Sequence, residues 1–488
     1  MHGPFDSKDA GPETIRLGIV SSAPGIEDVT VWASYCNEHA IQSSNDQPFL
    51  TQTFPGFVKA FNCKLILSPD YNEVLTSGEI ARILGVKNPN LRIKRAAEKY
   101  ASKVQVISRR TSRPDVIICH EPSEIELKCG AGLTRYEKRS GQLPHKASQE
   151  AERIRKKIEG VQLLAPLDEE TIDLLESTIN QDFRAYLKAK CMETDIPIQI
   201  LTQSVLEKMF PKETVPAALF SRRGREDPST IAWNLATAIY CKADHLPWKV
   251  DGLQTGACYV GISFYYDKTS RSRNMNASLA QIFSDTGEGL VVRSDSFKWD
   301  AEAPGAPRLD KRNATRLLSE AIEVYKEHHN SQTPNRVVVH KKSRYGPEEL
   351  DGFLEAISNY EVPKYDLVSL SPDPKDLFLY RNGDNPILRG TTLKLEDSYL
   401  VYTNGYVPYL NTYPHPRLPR PLDITEHHGD TPSEEVVREL MALTRLNWNS
   451  ANYSSYWPAT LMFSHRVGDI LGRVHPGAKI QQNYYYYM

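Results

Sequence analysis

The stretch YVGISFY at residues 259–265 decides the fold of the C-terminal half, because it opens a series of strand-like segments. Apolar and aromatic residues dominate it, and two further strand candidates follow at 278–283 and 289–293. Short connections between the three segments predict an antiparallel meander. A helix predicted at 308–329 and a strand at 336–340 come next, and this order of elements is typical of an RNase H-like fold.

The N-terminal half alternates strand-like and helix-like segments, which predicts a parallel α/β sheet. We place a boundary near residue 250 and expect a mobile tail at 1–14, one unit at 15–250 and a second at 251–488. The N-terminal strands are predicted at 15–20, 63–67, 115–119 and 196–201, and the helices at 28–41, 79–103, 171–191 and 229–242. The C-terminal unit is predicted to add helices at 348–360, 433–445 and 458–471, with two strands near 391–402.

Charge and composition narrow the class of protein. The 488 residues carry 59 Lys+Arg against 61 Asp+Glu, a formal net charge of −2, which argues against a general nucleic-acid coat protein. Hydrophobic residues make up 40% of the chain and charged residues 25%, as in folded globular proteins. No apolar run is long enough to span a membrane, the N-terminus lacks a secretory signal, and the seven cysteines form no C-x-x-C pair. We therefore expect reduced thiols, a cytoplasmic location and no membrane partner.

Three cations and one amide form the main candidate binding site. Arg184 and Lys188 lie four residues apart, so a helix places both on one face, where they repel each other unless an anion binds. Gln199 lies in a strand-like segment whose alternation separates it from its apolar neighbours, and Lys242 ends a later predicted helix. Arginine and lysine both suit a phosphate. The alternative interpretation of the spacing is a solvated, charged helix face.

A second basic feature is the run at residues 87–113, which contains nine Lys or Arg and one acid, Glu98. A run of this kind is usually a solvated surface, although it can also follow a phosphate backbone. The sequence leaves both interpretations open.

Carboxylates are missing where an RNase H-like nuclease needs them to hold two metal ions. The strand at 259–265 contains neither Asp nor Glu, and the strand at 336–341 ends in Lys341. Asp267 has the same side-chain parity as Ser263 but lies about 13 Å further along the strand. We interpret Asp267 as a turn residue.

Several segments resemble prokaryotic Argonaute proteins. The most specific is Asn447-Trp448-Asn449, and the segments PLDIT at 421–425 and PATL at 458–461 belong to the same C-terminal signature. The strand at 259–264 resembles the first strand of their PIWI domain. The helix and strand at 184–199 resemble the part of their MID domain that holds the 5′ phosphate of a guide.

The resemblance implies an α/β protein in which a Rossmann-like MID domain is followed by an RNase H-like PIWI domain. The chain is shorter than Argonautes with N, PAZ, MID and PIWI domains, and it is similar to the short prokaryotic Argonautes. The implied partners are a short 5′-phosphorylated guide RNA, a complementary single-stranded DNA target and an APAZ-domain effector protein of sirtuin-like, TIR or nuclease type. The implied role is defence against plasmids or phage.

Four residues of this chain match positions of the family's phosphate pocket. Arg184, Lys188, Gln199 and Lys242 match it, although many relatives have Tyr where this chain has Arg184. The family pocket also uses a C-terminal carboxylate and a divalent ion. Met488 is therefore the candidate metal ligand, and Mg²⁺ at the guide 5′ phosphate is the expected cofactor.

The resemblance also implies that the set of catalytic carboxylates is incomplete. Ser263 matches the first catalytic Asp and Lys341 the second, so no slicing activity is expected. Two alternatives to a guide-binding protein without slicing activity stay open. The first is an RNase H-like guide-dependent nuclease with atypical metal ligands. The second is an interaction protein that supports an effector without a guide.

Overall fold

The computed structural model describes the chain in several segments. The described residues are 4–6, 11, 13–44, 51–130, 182–209, 226–266, 275–283, 289–297, 307–372, 378–395, 399–413, 418–450, 453–474 and 477–488.

A four-stranded parallel sheet forms the N-terminal half, in the order β2-β1-β3-β4. Its two inner strands are almost entirely buried, since helices cover both faces. The alternation read from the sequence is therefore confirmed as a parallel α/β sheet. The strands are β1 (Thr14–Ser21), β2 (Lys64–Val74), β3 (Val116–Glu121) and β4 (Ile198–Thr202).

Eight helices accompany these strands in the described residues of this half. They are α1 (Ala23–Glu38), α2 (Phe57–Phe61), α3 (Ser77–Leu84), α4 (Pro89–Ser108), α5 (Ser123–Lys128), α6 (Phe183–Cys191), α7 (Gln203–Met209) and α8 (Pro228–Lys242). The prediction of one continuous helix at 79–103 is wrong, because this range contains the two helices α3 and α4. Gly85 ends α3, and Asn88 then caps α4 by accepting hydrogen bonds from the backbone N–H groups of Asn90 and Leu91.

The helix predicted at 171–191 is described only from residue 182 onward. The side chain of Asp182 accepts a hydrogen bond from the backbone N–H of Ala185 at 2.9 Å, so α6 begins at Phe183. The predicted part at 171–181 lies outside the described residues.

An eight-stranded mixed sheet forms the C-terminal half, in the order β10-β11-β12-β9-β8-β5-β6-β7. The predicted meander is confirmed, because β5, β6 and β7 pair antiparallel while β8 runs parallel to β5. The sequence analysis missed β9 and β12. The strands are β5 (Ala257–Tyr266), β6 (Met275–Phe283), β7 (Gly289–Phe297), β8 (Arg336–Lys341), β9 (Lys364–Pro372), β10 (Thr392–Lys394), β11 (Tyr399–Val401) and β12 (Leu422–Gly429).

The helices of the C-terminal half divide the side chains of β5 between two cores. Even-numbered residues such as Ile262 pack toward α9 (Lys311–His328) and α10 (Pro347–Asn359), and odd-numbered ones such as Tyr259 pack toward α12 (Ala459–Leu471). Helix α11 (Ser433–Leu443) packs in a separate apolar cluster with β9 and β12. A Cβ on Gly261 would come within 2.1 Å of the Thr460 carbonyl oxygen, so only glycine allows α12 to approach β5 this closely.

The beginning of the chain differs from the predicted mobile tail at Phe5 and Asp6. The carboxylate of Asp6 accepts hydrogen bonds from the Tyr240 hydroxyl at 2.7 Å and from the Leu246 backbone N–H at 2.9 Å. The ammonium group of Lys249 lies 4.6 Å from the centre of the Phe5 ring. These contacts attach the segment to the region where the N-terminal half meets the C-terminal half.

A buried charge network joins three elements of the C-terminal half. The guanidinium of Arg336 on β8 pairs with Asp366 on β9 and with Glu439 on α11, each at 2.6 Å. The Tyr259 hydroxyl donates to the same Glu439 carboxylate at 2.8 Å. Removing one partner of such a network leaves a buried charge unpaired, which is strongly destabilising.

All seven cysteines are buried, and none of them forms a disulfide in the structure. Among the described helices, none combines the length and the apolar character that crossing a membrane requires.

Candidate functional site

The structure brings Lys188, Gln199 and Lys242 together where the two halves of the chain meet. The Lys242 ammonium, at the end of α8, donates a hydrogen bond to the Gln199 side-chain oxygen on β4 at 2.5 Å. The amide nitrogen of Gln199 donates in turn to the Ile200 carbonyl at 2.9 Å, which orients the side chain. Three elements that are distant in sequence thus supply one polar cluster.

The end of the chain closes one side of this cluster. The Lys188 ammonium on α6 donates to the main-chain oxygens of Tyr487, at 3.2 Å, and Met488. Tyr484 and Tyr487 are both 2% exposed, and the Tyr484 ring lies 4.2 Å from that of Phe463 on α12. Aromatic burial therefore holds the last residues against the lysine.

The site is strongly electropositive. Burial, followed by the nearby charges of Lys242, Arg184 and Arg466, holds the pKa of Lys188 well below its usual range. Burial alone lowers the pKa of Lys242 to about 7. Across the described residues, no Asp or Glu side chain makes an ion pair with any of these four cations, although the nearby charge of Asp182 raises the pKa of Lys188 against their effect. An anion would therefore be stabilised here, and binding it would restore the charge of the two lysines.

Met488, the expected magnesium ligand, lies beside a lysine, since its main-chain oxygen accepts a hydrogen bond from the Lys188 ammonium. Within the described part of the chain no three His, Cys, Asp or Glu residues lie close enough to share a metal. A Mg²⁺ ion at a guide phosphate would therefore take most of its oxygen ligands from the phosphate and from water. In this arrangement the cations themselves supply the positive charge that an anion needs.

The two positions matched to catalytic Asp residues lie on opposite faces of the sheet. Lys341 is in register with Ile262 on the adjacent parallel strand, so it shares the face of Ile262 and not that of Ser263. The Lys341 ammonium is buried, pairs with Glu349 and lies 5.0 Å from the Tyr345 ring. Ser263 and Lys341 are therefore not brought together.

The face of β8 that Ser263 shares carries other residues. His340 is in register with Gly261 and hydrogen-bonds the Thr460 hydroxyl at 2.8 Å. Lys342 directly follows β8, and its ammonium lies 4.5 Å from the centre of the Trp457 ring. A cation and an aromatic ring thus lie near the carboxyl ends of β5 and β8. Asp267 lies outside the described residues.

Comparison with known proteins supports this arrangement of domains. No family model matches the chain. The Argonaute of Thermus thermophilus is 26% identical over 173 residues, which cover 36% of this chain and 24% of that protein. The chain is homologous to Argonaute proteins.

Solved Argonaute structures share the fold over nearly the whole chain. The Argonaute of Clostridium butyricum, bound to a guide DNA and a 19-mer target DNA, superimposes with a TM-score of 0.58 at 14% identity over 98% of this chain. The A. aeolicus Argonaute gives 0.51 at 14% identity over 98%, and Drosophila Piwi 0.53 at 10% over 96%. The chain spans about half the length of each of these proteins, 50% in all three cases. The predicted α/β class with MID-like and PIWI-like halves is confirmed.

Part of the basic run of this Argonaute homologue is paired with acids, two of which, Glu73 and Glu79, lie outside the run. Lys103 and Arg110 both pair with Glu73 on β2, the former at 3.4 Å. Lys99 pairs with Glu79 at 3.3 Å, and Arg95 reaches Glu98 at 3.9 Å. The solvated-surface interpretation therefore describes these cations better than a continuous phosphate track.

The sequence analysis missed Arg466 and the role of the C-terminal aromatic residues. Arg466 lies on α12, more than 200 positions after Lys188 and Lys242, so no local spacing connects it with them. The run of four tyrosines at 484–487 is a low-complexity segment that matches no binding motif. Its aromatic character is the one signal in the sequence of a buried C-terminal segment.

Proposed function

We propose that this chain is a guide-binding short Argonaute that does not slice. In this proposal it holds a short 5′-phosphorylated RNA guide and recognises complementary single-stranded DNA. It then activates an associated APAZ-domain effector, in prokaryotic defence against plasmids or phage. Homology to Argonaute proteins and the MID-like and PIWI-like halves support the guide-binding part.

The observation that carries the proposal is the cluster of Lys188, Lys242, Arg184 and Arg466, none of which forms an ion pair with an Asp or Glu side chain among the described residues. Keeping four cations close together costs folding free energy, and a doubly charged phosphate would offset that cost. A guide's 5′ phosphate supplies such a charge together with acceptor oxygens for the two lysines.

The test is binding of matched 5′-phosphate and 5′-hydroxyl oligonucleotides to the purified protein. The phosphate form should bind more tightly, and Lys188→Ala should remove most of that difference. Lys190→Ala is the matched control, because Lys190 lies on the same helix but is exposed. Equal affinity for the two oligonucleotides would contradict the proposal.

The absence of slicing is supported by Ser263 and Lys341, which replace carboxylates and face opposite sides of the sheet. The alternative is a guide-dependent nuclease with atypical metal ligands. A cleavage assay with Mg²⁺ or Mn²⁺ on guide–target duplexes separates the two. Target cleavage that Asp267→Ala abolishes would favour the nuclease.

The effector partner is supported by the resemblance to short Argonautes. Co-expression with a candidate APAZ protein should yield a complex whose effector activity requires guide and target. If Lys188→Ala abolishes activation without dissociating the complex, guide sensing is essential. Full activation without a bound guide would instead identify the chain as a protein scaffold.

A further inference from the structure

The side chain of Asp6 joins the last turn of helix α8 to the chain that follows it. One carboxylate oxygen of Asp6 accepts a hydrogen bond from the Tyr240 hydroxyl at 2.7 Å, and the other accepts one from the Leu246 backbone N–H at 2.9 Å. The second oxygen also lies 3.3 Å from Nδ1 of His245. A residue that precedes Tyr240 by 234 positions thus holds the chain on both sides of Lys242.

The chain directly after Lys242 contains a residue in the left-handed conformation. Lys242 is the last residue of α8, and Asp244, two positions later, has a φ of +67°. Residues other than glycine rarely adopt this conformation, and they keep it where the surrounding contacts determine it. The backbone N–H of Phe5 donates to the Pro247 carbonyl at 3.0 Å, next to the contacts of Asp6. The N-terminal segment therefore holds the chain where it leaves this turn.

Tyr240 and Lys242 project from nearly opposite sides of α8. Successive residues of a helix are about 100° apart, so two positions separate these side chains by about 200°. Tyr240 is buried, and its ring stacks on that of Phe61 with centroids 4.8 Å apart. On the other side, the Lys242 ammonium donates to the Gln199 oxygen at 2.5 Å. The hydrogen bond on Tyr240 therefore fixes the rotation of the last turn, which sets the position of the Lys242 ammonium.

Asp6 acts on this helix end through geometry, and its charge does not reach Lys242. Burial, followed by the hydrogen bond and the charge of Asp6, raises the pKa of Tyr240. Burial lowers the pKa of Lys242 to about 7, and among the described groups Asp6 does not contribute to that shift. The carboxylate thus orders the turn that presents the lysine without neutralising the charge that an anion needs.

We propose that Asp6 is a positioning residue for the anion pocket, which directs the Lys242 ammonium toward the phosphate of a bound guide. The inference rests on the proposed function and adds to it a residue whose described contacts lie outside the pocket. A charge-assisted hydrogen bond depends on the distance and direction between donor and acceptor. Without Asp6, the Tyr240 hydroxyl loses its partner and the last turn of α8 is free to fray.

The experiment compares 5′-phosphate and 5′-hydroxyl oligonucleotides in anisotropy titrations of Asp6→Ala, Asp6→Asn and Tyr240→Phe. Asp6→Ala should weaken binding of the phosphate form about five- to tenfold, part of the effect of losing one charge-assisted hydrogen bond, and the hydroxyl form by less than about twofold. Asp6→Asn keeps one acceptor oxygen and should fall between Asp6→Ala and the parent. Tyr240→Phe removes only the hydroxyl that donates to Asp6 and should cause a smaller loss of the same kind. It applies the same test if Asp6→Ala does not fold.

Asp227→Ala is the matched control, because Asp227 caps the opposite end of the same helix. Its carboxylate accepts a hydrogen bond from the Ser229 backbone N–H at 2.9 Å, about 20 Å along α8 from Lys242. Loss of this cap should lower stability in urea without changing the preference for the 5′ phosphate. An equal loss of preference in Asp227→Ala and Asp6→Ala would overturn the inference, since general weakening of α8 would then explain both.

The double variant Asp6→Ala/Lys242→Met shows whether Asp6 acts through Lys242. Adding Asp6→Ala to Lys242→Met should change the affinity for the phosphate form by less than about twofold, because the ammonium that Asp6 positions is gone. Full additivity of the two losses, or an unchanged preference in Asp6→Ala, contradicts the positioning role. A parent protein that binds both oligonucleotides equally refutes the proposed function itself. A parent that prefers the phosphate but is unaffected by Asp6→Ala refutes only this inference.

Discussion

Replacing Lys242 by Met should weaken binding of a 5′-phosphorylated guide while making the guide-free protein more stable. Methionine keeps most of the side-chain volume and removes the charge. Loss of one charge-assisted hydrogen bond to phosphate costs about 1.5–3 kcal/mol, which corresponds to a roughly 10- to 150-fold weaker affinity. Affinity for the 5′-hydroxyl oligonucleotide should change by less than about twofold, because that ligand brings no charge to Lys242.

The stability effect follows from the pKa of Lys242. Burial lowers this pKa from 10.5 to about 7, so carrying a lysine here costs on the order of 4 kcal/mol at neutral pH. The substitution also leaves the Gln199 oxygen without its donor, which reduces the gain in stability by about 1–3 kcal/mol. The free energy of unfolding should therefore rise by about 1–3 kcal/mol.

The pH dependence gives a second check on the same variant. In the unfolded chain Lys242 is protonated below about pH 10.5, whereas in the folded protein it loses its proton above about pH 7. The cost of burial is therefore complete below pH 7 and disappears as the pH approaches 10.5. The stability advantage of Lys242→Met should be largest at pH 6 and small at pH 10.

Urea unfolding at several pH values and fluorescence anisotropy with the two oligonucleotides measure these effects. Lys190→Met is the matched control, since it removes an exposed cation from the same region and should change neither quantity appreciably. A Lys242→Met protein that is less stable at pH 6 and still prefers the 5′ phosphate would refute the assignment of Lys242 to an anion pocket.

Three further predictions follow from the same contacts. Affinity for the 5′-phosphorylated guide should fall between pH 6.5 and 8.5 as Lys242 loses its proton, and Lys242→Arg should flatten that fall in anisotropy titrations. Glu349→Ala should destabilise the protein by about 3–5 kcal/mol in urea, because it leaves the buried Lys341 ammonium unpaired, whereas Glu348→Ala, at the neighbouring position of the same helix but exposed, should be nearly neutral. Ser263→Asp alone should give no Mn²⁺-dependent target cleavage, since no described carboxylate cluster stands beside it, and measurable cleavage would contradict this geometry.

Local sequence patterns were sufficient to predict a strand or helix where the residues that specify it lie within one segment. The meander at β5–β7 was predicted because each strand is short, apolar and separated from the next by a short connection. Strands β9 and β12 were missed. Strand β12 was noted only as part of a family signature, and several of its residues, such as Glu426 and His427, are polar. Their strand conformation depends on pairing with each other, which local propensity does not report.

The candidate functional residues also divide into those that local patterns placed together and those whose position depends on the strand register. Lys188, Gln199 and Lys242 were identified from helix spacing, strand alternation and resemblance, and the structure brings all three together. Lys341 was matched to a catalytic position by the same means. The strand register then placed it on the other face of the sheet from Ser263, paired with Glu349.

By itself, the sequence determined the order of most elements, the types of side chain available and the absence of carboxylates from the strand at 259–265, because these depend only on neighbouring residues. Only the tertiary structure decided which cations pair with an acid. The run at 87–113 is rich in charge, yet acids brought from β2 and α3 pair with Lys99, Lys103 and Arg110. Lys188 and Lys242 are fewer, and the described residues show no ion pair between either of them and an Asp or Glu side chain. Charge pairing is set by distance in space, which for these residues bears no relation to distance along the chain.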